Sequence, residues 1–190
     1  ADKKRWLLDY NNEAKINAQL TSSIDVKRIS DFELQDDYNV AHDDYFTSQA
    51  QLYYKGFTPI LDTASLGIIS RQYGGSGVPA YDQLPHATAS GGIVINQNHQ
   101  TFNADYFGDL TRFTRDTADL TGINKMTGIR THLVPSLTTA WVNNYSFIKP
   151  KISLPITSYQ LSDTPTNITS SKTRTIAQFE IDSGLLFERG

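Results

Sequence analysis

The sequence predicts an all-β fold in which about nine strands follow one another as an antiparallel up-and-down meander. Helical periodicity is nearly absent, whereas Thr, Ser, Ile, Tyr and Phe recur in period-two order from end to end. Short connections alternate with long polar ones, which is typical of a meander whose long loops all lie at one end. Several strands also reach the roughly 9–11 residues that a tilted strand needs to cross a bilayer.

Nine segments carry this strand pattern. They lie at about residues 4–11, 15–29, 44–55, 58–72, 84–96, 99–114, 127–140, 144–160 and 174–189. Four of them have two distinct faces, because one residue parity is apolar and the other is polar. The apolar parity comprises Ile16, Ala18, Leu20, Ile24 and Val26 in the second strand, Phe46, Ala50, Leu52 and Tyr54 in the third, Ile148, Ile152, Leu154 and Ile156 in the eighth, and Phe179, Ile181, Leu185 and Phe187 in the ninth.

The connections distinguish between the possible all-β architectures. Links after the first, third, fifth and seventh strands are short and centre on NNEA, GF, QN and WVNN. Links after the second, fourth, sixth and eighth strands are long and polar, at residues 30–43, 73–83, 116–125 and 162–172. A soluble sandwich mixes hairpins with crossovers, whereas an outer-membrane barrel has short periplasmic turns and long external loops. The alternation therefore favours a barrel.

Nine strands do not close a bacterial single-chain barrel, which has an even number of strands from eight upward. An open edge in hydrocarbon leaves backbone groups unpaired at a cost of several kcal/mol each. The chain is therefore predicted to be one partial barrel domain over residues 1–190, a sector of a larger barrel. Its first strand is expected to reach a periplasmic turn near Asn12, and its ninth to end on the periplasmic side near Arg189.

Composition excludes several classes of protein. A chain of 190 residues is long enough for one domain, and 38% hydrophobic residues with 11% aromatic residues predict that it folds. The net charge of −3 comes from charges spread along the chain, so no basic stripe indicates nucleic-acid binding. There is no cysteine, which removes disulfides and thiolate chemistry. Apolar runs are too short for a spanning helix, so any membrane role belongs to strands.

The histidines are the first candidates for a chemical site, and none supports one. His42 lies in AHDDY, a plausible metal or acid–base cluster, but in a long polar loop solvated charge is the better explanation. His86, His99 and His132 lie near strand ends without metal-ligand spacing, so a lumen-facing or interfacial position is expected. The glycines of YGGSGVP open no helix that could bind phosphate. We therefore predict no catalytic residue, no cofactor and no metal.

Charged residues on the polar parity are the remaining candidates. Lys149 and Lys151 lie opposite isoleucines and would face a barrel lumen, where they could meet phosphate or carboxylate. The simpler explanation is avoidance of lipid, because a lysine at the bilayer midplane costs about 2–4 kcal/mol. Prolines in or near strands, such as Pro85 and Pro155, are expected at bulges or strand ends.

The last third of the chain resembles a known family. The resemblance is carried by MTGIRTHLVPSLTTAWVNNYSFIKPKISLPITSYQL at 126–161 and IAQFEIDSGLLFER at 176–189. The matching features are Arg130, His132, Leu133, Pro135, Ser136, the Trp141 turn, Pro150 with Lys151, and Asp182, Gly184, Leu185, Phe187, Glu188 and Arg189. Looser matches at 5–12, 22–38 and 83–95 extend it over nearly the whole chain. The family is the outer-membrane lipopolysaccharide-assembly protein LptD, also called organic solvent tolerance protein.

The resemblance implies a function and a set of partners. A member of this family forms a very large barrel in the outer membrane of a Gram-negative bacterium, plugged by the lipoprotein LptE. It delivers lipopolysaccharide to the outer leaflet without making or breaking a bond, and it is joined to the periplasmic Lpt bridge through an N-terminal domain. That jellyroll domain, its cysteines and the closing strands are expected to lie outside residues 1–190. Val134 stands where Glu is common, and Gly190 where Asp is usual.

In this interpretation the segment is barrel wall, with lipid outside. The residues predicted to face the lumen, and with it LptE or passing saccharide and phosphate, are Asp25, Lys27, Lys149, Lys151, Glu180 and Asp182. A soluble secreted β-sandwich that binds carbohydrate remains an alternative, and so does a porin or outer-membrane hydrolase barrel. The sandwich predicts two sheets packed face to face around a shared apolar interior.

Overall fold

The computed structural model describes residues 5–34, 45–74, 78–97, 100–185 and 187. These residues form one antiparallel sheet, apart from loops and a short 3-10 helix at Gly122–Lys125. The strands are β1 (Leu7–Lys15), β2 (Leu20–Ile29), β3 (Tyr45–Thr58), β4 (Leu61–Tyr73), β5 (Asp82–Gln97), β6 (Gln100–Thr114), β7 (Thr127–Thr139), β8 (Trp141–Val142), β9 (Ser146–Ser153), β10 (Ile156–Ser162), β11 (Ser171–Thr175) and β12 (Gln178–Leu185). Among the described residues, no helix has the length and apolar character needed to cross a membrane.

The twelve strands of the described residues correspond to nine long ones. β9 and β10 lie end to end along β7, and β12 and β11 lie end to end along them in turn. The break between β9 and β10 is at Leu154 and Pro155, where proline has no N–H to donate. β8 is only a two-residue extension that pairs with β9 at the turn. The predicted nine-strand meander is confirmed, and the sheet formed by these described strands does not close on itself.

Short and long connections alternate as predicted, but the first two short turns were placed wrongly, near Asn12 and at residues 56–57. Residues 56–57 lie inside β3, and that turn occupies residues 59–60. Asn12 lies inside β1, and the turn occupies residues 16–19. The Oδ1 atom of Asn17 accepts hydrogen bonds from the backbone nitrogens of Gln19 and Leu20 at 2.8 and 2.9 Å. An asparagine that bonds the backbone two residues on favours a tight turn, so the turn forms at Asn17. Arg189, the predicted end of the ninth strand, lies outside the described residues.

The register of the strands gives the sheet two chemically different faces. We call the side that carries Leu133 and Ile152 the apolar face, and the opposite side the polar face. Following register partners from strand to strand places many exposed large apolar side chains on the apolar face. They are Leu8, Tyr10, Ile24, Leu52, Leu66, Ile68, Ile93, Ile95, Leu110, Ile129, Leu133, Leu137, Ile148, Ile152, Phe179, Ile181 and Leu185.

No second layer covers the apolar face in the part of the chain that the structure describes. Among the described residues, the buried hydrophobic side chains are Ile29, Leu34 and Phe46. They pack against Phe32 in one small cluster at the long-loop end of the sheet. Ile152 is 56% exposed and Phe179 is 63% exposed, although a sandwich would bury both. The sandwich alternative is therefore wrong for these residues.

Neighbouring strands are progressively staggered along the sheet. A row of register partners that begins at Leu20 runs through Ala64, Gly108 and Leu133 to Ile156. Leu20 begins β2 directly after a short turn, whereas all of β9 separates Ile156 from the short-turn end. A sheet that closes into a barrel needs such a stagger, because its strands tilt relative to the barrel axis.

The exposed apolar residues follow this stagger. On β2, Ile24 lies on the long-loop side of the Leu20–Ile156 row, and on β9, Ile148 and Ile152 lie on its short-turn side. The apolar band consequently crosses the strands obliquely. A bilayer crosses tilted strands in the same oblique way.

The turn between β3 and β4 folds against β5. The backbone nitrogen of Gly92 donates to the carbonyl oxygen of Pro59 at 2.5 Å, and the hydroxyl of Tyr106 donates to that of Ile60 at 2.7 Å. A Cβ atom on Gly91 would overlap the Ile60 carbonyl oxygen and lie 2.8 Å from the Pro59 oxygen. The missing side chain of Gly91 is what allows this close approach.

The substitution Gly91→Ala is expected to destabilise the full-length protein by about 1–3 kcal/mol, because the added methyl group meets backbone that cannot move aside cheaply. Gly108→Ala is the matched control, since its Cβ would lie 3.8 Å from the nearest atom, the Ala89 carbonyl oxygen. The midpoint of denaturant unfolding should fall for the first variant and stay within error for the second. Equal midpoints would contradict the proposed close packing of this turn.

Candidate functional site

The six residues predicted to face a lumen all lie on the polar face. Asp25 and Lys27 belong to β2, and the other four lie opposite one another on β9 and β12, where Lys151 pairs with Glu180 and Lys149 with Asp182. The Nζ atom of Lys151 is 3.7 Å from Oε2 of Glu180. Both side chains are exposed, so this ion pair contributes at most about 1 kcal/mol. The structure brings the β9 and β12 residues together. The β2 residues lie on the same face but near the opposite edge of the sheet.

A different group of charged residues occupies the centre of the polar face. The carboxylate of Asp109 on β6 is 8% exposed. Its Oδ1 atom accepts hydrogen bonds from Nη2 of Arg130 at 2.9 Å and from the Thr111 hydroxyl at 3.1 Å. Its Oδ2 atom is 2.8 Å from Nε2 of His86. We call Asp109, His86, Arg130 and Thr111 the Asp109 cluster.

Register explains why these four side chains meet. Thr111 lies directly between His86 on β5 and Arg130 on β7, as the shared register partner of both. Asp109 lies two residues along β6 and points to the same side of the sheet. Long side chains reach diagonal neighbours across antiparallel strands, so His86 and Arg130 converge on the one carboxylate from opposite sides.

Ser and Thr hydroxyls extend the polar network to the neighbouring strands. The Thr63 and Ser90 hydroxyls are 2.6 Å apart, and those of Ser65 and Thr88 are 2.7 Å apart, which links β4 to β5. The Nδ1 atom of His132 is 2.8 Å from the Thr157 hydroxyl, which links β7 to β10. Side-chain hydrogen bonds therefore tie the five neighbouring strands β4, β5, β6, β7 and β10 together across the polar face.

The Asp109 cluster suits a structural role better than a chemical one. Its carboxylate has three partners, and Thr111 is fully buried, so neither is positioned to reach a substrate. Within the described ranges, no three His, Asp or Glu side chains form a group that could hold a metal ion. His86 and His132 lie on the polar face, where a lumen-facing position was expected. His42 and His99 lie outside the described residues.

Sequence reasoning missed Asp109 as a site residue and used Arg130 only as a matching family feature. Period-two alternation places Asp109 on one face of β6, but it cannot say which residues of β5 and β7 lie beside it. One feature of the sequence could have indicated Asp109: it is an acidic residue in the middle of a long predicted strand. A carboxylate that neighbouring strands surround needs a hydrogen-bond or charge partner.

Comparison with known proteins gives one consistent result. The model of the family described as LptD, LPS transport system D, matches residues 3–190. "LPS-assembly protein LptD" of Pseudomonas syringae pv. syringae B728a is 26% identical over 99% of this chain and 23% of its own length. The same-named proteins of Pseudomonas aeruginosa UCBPP-PA14 and Polaromonas sp. JS666 are 26% and 28% identical, over 98% and 99% of this chain. The chain spans about a quarter of the length of these curated relatives.

Proposed function

Because the chain belongs to the LptD family of LPS transport proteins, we propose that it forms part of the wall of an outer-membrane barrel that inserts lipopolysaccharide into the outer leaflet. The observation that carries the proposal is the pair of opposed faces, one apolar and exposed across the whole sheet and the other polar and hydrogen-bonded. Residues 1–190 would then be one partial barrel domain. The periplasmic jellyroll and the closing strands would lie elsewhere in the full-length protein.

Lipid is the solvent that best fits the apolar face. Soluble monomers rarely expose contiguous apolar patches of more than a few hundred Å², and this face runs from β1 to β12. Antiparallel strands that alternate apolar-out and polar-in are the pattern of outer-membrane barrels. The oblique course of the apolar band across staggered strands adds to this, because it keeps the band level with the bilayer while the strands tilt.

The polar face would line the lumen. Ser65, Asp109, Thr111 and Ser153 are buried on this side although no second sheet formed by the described residues covers it, which fits the crowded concave side of a curved wall. Asp25, Lys27, Lys149, Lys151, Glu180 and Asp182 would face LptE or passing saccharide and phosphate. The connection to the periplasmic Lpt bridge would run through the N-terminal domain. In this role the wall guides cargo, and no covalent bond is made or broken.

A porin or an outer-membrane hydrolase would use the same wall for a different task. A hydrolase needs an accessible nucleophile or an acid–base pair, whereas the Asp109 carboxylate is saturated with partners. Family membership favours lipopolysaccharide transport over both alternatives.

The function is tested by depleting the full-length protein in its own host and measuring newly made lipopolysaccharide at the cell surface. Pulse-labelled lipopolysaccharide should lose its accessibility to added antibody within the time that the protein is diluted by growth. Re-expression of the full-length protein should restore it. Normal surface delivery after complete depletion would contradict the proposal.

The orientation of the wall is tested by single cysteine additions to the full-length protein in outer membranes. Lys151→Cys should react with a charged, water-soluble maleimide, and the adjacent Ile152→Cys should react only with a lipid-soluble reagent. Lys149→Cys and Ile148→Cys should repeat this contrast one residue pair away. A reversed pattern, with the lysine positions protected and the isoleucine positions in water, would refute the assignment.

A further inference from the structure

The hairpin of β5 and β6 extends past the end of β4 at the short-turn end of the sheet. Pairing between β4 and β5 ends at Ser90, whereas β5 continues to Gln97. Within the described part of the chain, residues 93–97 pair with β6 alone. β6 is covered on its other side as far as Phe102, which pairs with Thr139 on β7. One side of β5 is therefore unpaired over residues 93–97, and we call this stretch the open edge.

The open edge presents backbone hydrogen-bonding groups. In an antiparallel strand, the N–H and C=O groups of successive residues point alternately to the two neighbouring strands. The N–H of Gly92 donates to the carbonyl oxygen of Pro59 at 2.5 Å, on the side of β4. Val94 and Asn96 follow at two-residue spacing, so their N–H and C=O groups point to that same side. A strand laid beside β5 would find two donors and two acceptors there.

The sequence of the open edge does nothing to prevent such pairing. It reads IVINQ, without a charged residue or a proline, and its register with β6 has no bulge. Ile93, Val94 and Ile95 are 47%, 60% and 41% exposed. Natural proteins protect an exposed strand edge with charges, prolines or bulges, because a flat apolar edge pairs readily with another chain. An edge that lacks all three is therefore suited to pairing.

Acidic side chains lie at the foot of the open edge. A hollow of about 380 Å³ adjoins the turn at Pro59, and Asp62 and Asp105 are among the residues that line it. A Cβ atom on Gly92 would overlap the Oδ1 atom of Asp105, so this carboxylate lies against the backbone where the open edge begins. Both carboxylates are exposed, and neither has a basic partner among the described residues. A lysine or arginine on an added strand would be attracted to them.

We propose that the open edge binds an extended segment of another protein, which adds a strand beside residues 93–97 and places a basic side chain near Asp105 and Asp62. Backbone pairing supplies the affinity, and the side chains of the added strand supply the specificity. An antiparallel strand, the more stable arrangement, runs toward the Pro59 turn and carries its basic residue near its C-terminal end. This interaction goes beyond the proposed transport function and does not depend on it, because the open edge needs no cargo to pair.

The probe is a peptide of about six residues, the usual length of a strand, with alternating threonine and valine and one lysine next to its C-terminus. Fluorescence anisotropy of the labelled peptide should show saturable binding to the full-length protein in nanodiscs of neutral lipid. A control peptide has the same side chains on an N-methylated backbone, which removes its hydrogen-bond donors. It should bind at least about tenfold more weakly. Glutamate in place of the lysine should weaken binding by about two- to fivefold.

Variants of the protein locate the binding site. Val94→Pro removes a donor of the open edge and leaves the pairing with β6 intact, because this N–H points away from β6. It should weaken binding of the lysine peptide at least about tenfold, whereas the matched control Val94→Thr keeps the donor and should bind normally. Asp105→Asn should weaken binding of the lysine peptide by about two- to fivefold and leave that of a glutamine peptide unchanged.

Three results would overturn the proposal: no saturable binding, equal binding of the methylated peptide, or equal binding by Val94→Pro and Val94→Thr. A dimer of the purified protein that Val94→Pro separates would overturn it as well, because the open edge would then pair with a second copy of the same chain. If Val94→Pro lowers the thermal midpoint of the protein, the methylated peptide and Asp105→Asn decide the outcome.

Discussion

Replacing Asp109 by alanine should destabilise the barrel wall by about 2–4 kcal/mol, because three hydrogen-bonded partners lose the buried carboxylate, although the Arg130 side chain left behind is 35% exposed and stays partly hydrated. The 8% exposed carboxylate is bonded to Arg130, His86 and Thr111. Without it, the Arg130 guanidinium loses its acceptor, and its Nε atom already has none in the described residues. The fully buried Thr111 hydroxyl loses its acceptor as well. The loss should appear as a lower midpoint of thermal unfolding of the full-length protein.

Asp105→Ala is the matched control for this prediction. Asp105 lies on the same strand and the same face as Asp109, but it is exposed, so its removal should change stability by less than about 0.5 kcal/mol. Asp109→Asn should fall between the two, because an amide keeps the shape and one acceptor oxygen but loses the charge. If Asp109→Ala and Asp105→Ala unfolded at the same temperature, the Asp109 cluster would not hold the wall together.

The strands were predictable because alternation is a local property. Leu20 and Ile24, or Ile148 and Ile152, lie two or four residues apart, and that spacing alone puts each pair on one face. The same spacing put all six lumen candidates on one side of the sheet without knowledge of any strand partner. Strand length and turn residues were then enough to predict the meander, because each of the nine long strands pairs with the one before it in the sequence.

The positions of the turns and the register between neighbouring strands could not be predicted from the sequence. The NNEA segment predicts the first turn and leaves residues 17–19 in the second strand, whereas the backbone hydrogen bonds to Asn17 show that the turn forms there. Phe113 shares a parity with Asp109, so alternation alone could not reveal that its ring lies 5.3 Å from the Arg130 guanidinium of the Asp109 cluster. His86 and Arg130 are 44 positions apart, and the register that brings them to one carboxylate depends on a shift between Gln83 and His86 next to Pro85. A bulge at Pro85 was expected, but its consequence for the site was not.

The stagger of the strands determines where the bilayer midplane crosses the wall. On β7 the exposed apolar residues are Ile129, Leu133 and Leu137, so Leu133 lies at the middle of the apolar band on a strand that is paired on both sides. Its register partners Gly108 and Ile156 are both on the apolar face. Leu133 is therefore the position at which a charge should be most costly.

Leu133→Arg should cost about 2–4 kcal/mol, the penalty for a cation at the midplane of the lipid-facing side. The adjacent Val134→Arg places the same side chain on the polar face, beside Phe107 and within diagonal reach of Asp105 and Asp109. We expect it to cost less than about 1 kcal/mol, because the cation stays in water or pairs with a carboxylate. The folded fraction of each full-length variant in outer membranes, and its thermal midpoint, measure the difference. Equal losses from the two substitutions would mean that the two faces of β7 meet the same solvent, and the distinction between a lipid side and a lumen side would fail with them.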